Sequence, residues 1–71
     1  MSASVRVRRE RIASRGHGFA WYWHYYVDAG PDGTRFDNRS IVELRRILRR
    51  QYGRDVQIIE TWKTTSERTD G

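Results

Sequence analysis

Few side chains in this sequence are equipped for covalent or acid–base chemistry. There is no cysteine, no serine on a nucleophile elbow, no glycine-rich phosphate loop and no recognisable pair of carboxylates. His17, His24 and Asp37 are able to ligate a metal, but a metal site is marked by close, repeated ligand spacing that these three lack, so neither a metal nor a cofactor is expected. His24 with neighbouring Arg and Tyr could serve a small basic nuclease as acid, base and phosphate clamp, because that chemistry needs positioned groups more than a motif. Recognition chemistry is better supplied. Arg6, Arg8, Arg15 and Arg35 are interleaved with Tyr22, His24 and Tyr26 along the chain. Guanidinium forks that engage phosphates or guanine edges, set among rings that stack on bases, make a nucleic-acid surface. Arg45, Arg46, Arg49 and Arg50 form a second basic set within one short segment.

The balance of charge agrees. Fourteen basic against nine acidic residues give a formal charge of +5 and a pI near 10.4, which favours polyanions through counterion release and steering. All but Lys63 of the basic residues are Arg. That skew suits planar bidentate contacts, but a GC-rich genome produces it too, so position must decide. No apolar run is long enough for a membrane span and no signal-peptide core follows the N-terminus, so a soluble cytoplasmic protein without a membrane partner is expected. An Arg- and Tyr-rich surface also resembles a protein interface, which makes an acidic protein partner the alternative, and open sheet edges permit a homodimer.

Positioning these residues falls to a small number of elements. Seventy-one residues make one domain with one core, near the size at which only about 60% of the surface is buried. The run Phe19–Val27 is aromatic and β-branched, bounded by glycines, and reads as the central strand. Alternation puts Phe19, Trp21, Trp23, Tyr25 and Val27 on one face, the expected core, and Ala20, Tyr22, His24 and Tyr26 on the other. Val5–Ile12 reads as the first strand, with a bulge near Arg9 because Ile12 falls out of phase with Val5 and Val7. Ser14–Gly18 is the hairpin loop between them. Gly30-Pro31-Asp32-Gly33 is a turn, with Pro presetting φ and Gly supplying positive φ, and Thr34–Phe36 is a short third strand. Ser40 and Glu43 form a capping box for a helix starting at Ile41, with Ile41, Leu44, Ile47, Leu48 and Tyr52 on one arc and the four Arg beside it. Gly53 ends the helix in the left-handed conformation. Val56–Trp62 is a fourth strand whose partner the sequence leaves open, and residues 1–4 and 63–71 are tails. The fold class is therefore α+β: an antiparallel β-meander with one helix packed across one face and an additional C-terminal strand, β-β-β-α-β.

The order of meander then helix, with Trp21-Tyr22-Trp23-His24-Tyr25-Tyr26-Val27, the Gly30-Pro31-Asp32-Gly33 turn and the passage from Phe36 to Leu48, resembles the sheet-plus-helix DNA-binding domain of tyrosine-recombinase N-terminal arms and plant AP2-type factors. The resemblance covers Val5 to Tyr52 and rests on element order and turn chemistry. It implies a three-stranded sheet laid in the major groove, hence DNA rather than RNA, with Arg6, Arg8, Tyr22, His24 and Arg35 at positions facing it. The strand at Val56–Trp62 departs from that pattern.

Overall fold

The computed structural model describes residues 3–14 and 20–63. Strand β1 (Ser4–Ser14), strand β2 (Ala20–Val27), strand β3 (Phe36–Asn38), helix α1 (Ile41–Tyr52) and strand β4 (Gln57–Glu60) follow one another. The fold is α+β, with α1 over one face of a four-stranded sheet ordered β3-β2-β1-β4. β1 and β2 are antiparallel, as are β2 and β3, whereas β4 joins the outer edge of β1 in parallel. The sheet is therefore mixed rather than a pure meander. Connectivity dictates this: β3 runs in the direction of β1, and a chain that leaves it through a single helix returns at the far edge in that same direction.

Helix α1 starts where the sequence predicts, and its cap shows why. Ser40 Oγ accepts the Glu43 amide at 3.2 Å. The reciprocal half of the expected box is replaced: the Ser40 amide donates to Asn38 Oδ1 at 2.8 Å, while Glu43 turns to Arg46. Leu44 and Leu48 are fully buried. At the other end Gly53 has φ 103° and ψ 162°, a glycine-only region with extended ψ rather than the left-handed helical conformation expected there.

The core consists of Val5, Val7, Val27, Leu44, Leu48 and Val56, ringed by Ala3, Tyr25, Phe36, Ile41, Tyr52, Ile58 and Trp62. The expectation that the whole odd-numbered face of the central strand is core fails. Tyr25 and Val27 belong to it, but Trp21 is 55% exposed. Length is the reason: the twelve residues of α1 cover about 18 Å, whereas the eleven of β1 span about 35 Å. The distal half of the β1–β2 ribbon lies beyond the helix.

Boundaries move for similar local reasons. The β1–β2 register runs unbroken from Arg8 opposite Tyr26 to Ser14 opposite Ala20, so there is no bulge at Arg9, and Ile12 takes its place across from Tyr22. The third strand is Phe36–Asn38, not Thr34–Phe36, because the turn takes up Thr34: its carbonyl accepts from the Gly30 amide at 2.9 Å and its amide donates to Asp32 Oδ1 at 3.1 Å. The fourth strand stops at Glu60 and residues 61–63 are helical; that turn brings Lys63 Nζ back to Glu60 at 3.0 Å. At the N-terminus Ser4 is already in β1, and the Ala3 carbonyl accepts the Gln57 amide at 2.8 Å, so the first tail is shorter than expected. Arg15, His17, Phe19 and most of the expected Ser14–Gly18 loop lie outside the described residues, as does the tail after Lys63.

Candidate nucleic-acid interface

Alternation along β1 and β2 brings Arg6, Arg8, Tyr22, His24 and Tyr26 of the predicted residues to one face, away from α1. The register sets Arg8 beside Tyr26, Glu10 beside His24 and Ile12 beside Tyr22, with Asp37 of β3 on the far side of Tyr26. Arg6 lies on the same face next to Ile59 of β4. The rings form a ladder. His24 and Tyr26 are 4.8 Å apart between centroids and Tyr22 and His24 6.3 Å. A guanidinium closes each end, Arg8 at 4.5 Å from the Tyr26 ring centre and Arg39 at 4.0 Å from that of Tyr22. Arg39 carries no sequence signal for this role, since it lies outside any strand.

Carboxylates interrupt this face. Arg8 donates from Nε and Nη2 to Asp28 at 2.7 and 2.9 Å and from Nη1 to Glu10. These bonds raise its pKa above the ordinary guanidinium range. The Asp28 carboxyl is held below its usual value, first by those hydrogen bonds and, more weakly, by the charge of Arg35. Arg35 itself sits exposed just before β3. His24 Nε2 and Asp37 Oδ2 are 2.8 Å apart. The strand-borne Arg and His of the ladder are thus paired, and Arg6 is left beside a shallow depression lined by Arg8, Asp28, Ala29 and Thr61.

The second basic set divides. Arg45 is drawn inward, its Nε and Nη2 donating to Glu60 at 2.6 and 2.9 Å, and the Glu60 carboxyl, 8% exposed, is held below its usual range by that pair and by Lys63. Arg46, Arg49 and Arg50 remain exposed and, with Arg54 and Val42, line another shallow depression. A further group has no counterpart among the predicted site residues: Arg9, Arg11, Trp21 and Trp23 on the helix-side face of the distal ribbon. Their common odd parity with Val5 and Val7 is the signal that places them, and it is masked when a bulge is assumed at Arg9.

Among the described residues no three His, Cys, Asp or Glu side chains converge as a metal site, and no helix is long and apolar enough to cross a membrane. No protein-family model matches the chain, and neither the curated proteins nor the solved structures contain a match to it.

Proposed function

We propose that this protein is a small, non-enzymatic nucleic-acid-binding module that uses the open face of its sheet, with DNA rather than RNA as its ligand. The observation that carries the reading is the ladder Arg39, Tyr22, His24, Tyr26, Arg8, in which three successive rings are closed at each end by a guanidinium on the surface away from the helix. Rings of this kind receive bases or pack on sugars, and the flanking cations hold phosphates. The preference for DNA rests on the resemblance in element order.

Fluorescence anisotropy of labelled duplex DNA, single-stranded DNA and RNA at two salt concentrations tests this. Binding should fall steeply with salt, and replacing Tyr22 and Tyr26 together by Ala should weaken it about tenfold or more with little change in melting temperature, since neither belongs to the core. No binding at low salt would overturn the reading. The carboxylates of Glu10, Asp28 and Asp37 favour one rival, docking on a protein partner held by the Tyr and Arg side chains of this face. They weaken the pull on a polyanion but not the anchoring of Tyr and Arg in a protein interface, and such an interaction would depend less on salt.

A further inference from the structure

Beyond the end of the helix, the other face of the β1–β2 ribbon carries a different arrangement of the same chemistry. Arg11 stands opposite Trp23, and the small Ala13 opposite Trp21. The Arg9 guanidinium lies 4.0 Å from the Trp23 ring centre and 4.9 Å from that of Trp62, and the Arg11 guanidinium 5.5 Å from that of Trp21. Trp21 and Trp23 meet edge to face at 5.3 Å and 83°, and Trp62 is anchored against Tyr25 at 5.4 Å. Inner members of this group are therefore braced on the core rim, while Trp21 is more than half exposed.

Charge distinguishes this face from the open one. Among the described residues the carboxylates with basic side-chain partners are bound elsewhere, Asp28 and Glu10 to Arg8, Asp37 to the His24 ring, Glu43 to Arg46, and Glu60 to Arg45 and Lys63. Arg9 and Arg11 have ring faces for neighbours instead. A guanidinium stacked on an indole uses its π face and keeps its in-plane N–H donors available for an anion. Two residues apart on one strand face, the two Arg are about 6.6 Å apart along β1, a separation of the order of that between neighbouring phosphates on one strand.

We infer that this face is a second binding site, specific for single-stranded nucleic acid, in which an unpaired base stacks on Trp21 while Arg11 and Arg9 hold the phosphates beside it. A base can lie on an indole only when it has left its duplex partner, so the site selects single strands by the geometry of stacking. The inference rests on the nucleic-acid reading of the protein and adds to it the strand state and a surface on the opposite side of the ribbon.

The test uses the full chain and a short oligothymidylate, read by intrinsic tryptophan fluorescence and by anisotropy, with a duplex of equal length in parallel. Quenching on addition of the single strand is expected. Trp21→Leu should remove most of the quench and weaken single-strand binding about tenfold, and Arg11→Gln should lower the salt slope by about one contact, both leaving duplex binding unchanged. Circular dichroism and melting curves check that the variants fold, as they should with Trp21 outside the core. Unaltered oligothymidylate binding by Trp21→Leu overturns the inference, as does wild-type binding of duplex alone or of acidic protein alone through Trp21. The open-face reading is separable: loss of binding in the Tyr22, Tyr26 double variant with full binding by Trp21→Leu sinks the inference and keeps that reading, and the reverse pattern keeps the inference and sinks the open face.

Discussion

Tyr52, at the end of α1, donates its hydroxyl to Asp32 Oδ1 at 2.5 Å and joins the helix to the β2–β3 turn. Asp32 also accepts from the Thr34 amide and from Gln51, and these bonds, that of Tyr52 foremost, lower its pKa to about 2. A carboxyl depressed in the folded state adds stability above its unfolded value of about 3.9, and that addition disappears as pH falls through about 2. Asp32→Asn should therefore melt below wild type near neutral pH, with the gap closing as the solution is acidified below pH 4; a gap independent of pH would show that the charge contributes nothing. Gly30 is required nearby by close approach. A Cβ there would collide with the Tyr52 hydroxyl and lie 3.1 Å from its Cζ and 3.4 Å from the Thr34 carbonyl. Gly30→Ala should cost about 1–3 kcal/mol by urea denaturation, and less in a Tyr52→Phe background, where the hydroxyl and its hydrogen bond are already absent and only the ring Cζ and the Thr34 carbonyl crowd the added methyl. At the cap, Ser40→Ala should cost about 1 kcal/mol.

Among elements, the helix was the most legible because its signals are local: a cap at Ser40, apolar spacing through Leu44 and Leu48, and a glycine at the end. The open face of β2 was legible from alternation alone, and Arg6, Arg8, Tyr22, His24 and Tyr26 share it. What escaped was non-local. That Arg8 is held by Asp28, and His24 by Asp37, depends on strand register, which turn geometry sets. That Trp21 lies outside the core depends on the relative lengths of helix and ribbon. Arg45 looked like part of a solvated face because its partner is fifteen residues away on another element. The Arg45–Glu60 pair ties α1 to the edge strand β4, and Glu60→Gln should cost about 1–3 kcal/mol, the range for a hydrogen-bonded charge left without its partner. Since Glu60 is held below its ordinary range, its contribution is present above the unfolded carboxylate pKa and is lost as pH falls through the lowered value. Replacing Arg45 and Glu60 together by Met should cost less than the sum of the two single changes; additive costs in a double-mutant cycle would mean that the pair does not couple helix to strand.

Over the whole molecule the formal charge of +5 is unevenly spread: carboxylates thread the open face, whereas on the helix-side face of the ribbon Arg9 and Arg11 have rings for neighbours, and on the helix Arg45 and Arg46 are paired with Glu60 and Glu43. This distribution bears on self-association. β4 pairs with β1 only from Ser4 to Val7, so among the described residues the outer edge of β1 beyond Val7 has no neighbouring strand and presents a template for a second copy. Antiparallel pairing of two copies centred on Glu10 would set Arg9 opposite the second copy's Arg11, twice; centring it on Arg9 would set Arg9 opposite itself. Like charges directly opposed on a sheet are destabilising, so either register is resisted, as charged edges commonly do. Sedimentation velocity should accordingly find a single species near 8.5 kDa without nucleic acid. Arg11→Glu should reverse the balance by placing the substituted glutamate opposite Arg9 at both ends of the first register, and should self-associate more strongly than wild type, the more so at low salt. A wild-type dimer that Arg11→Glu leaves unchanged would show that the ribbon edge is not where copies meet and that its Arg do not keep the edge open for a ligand.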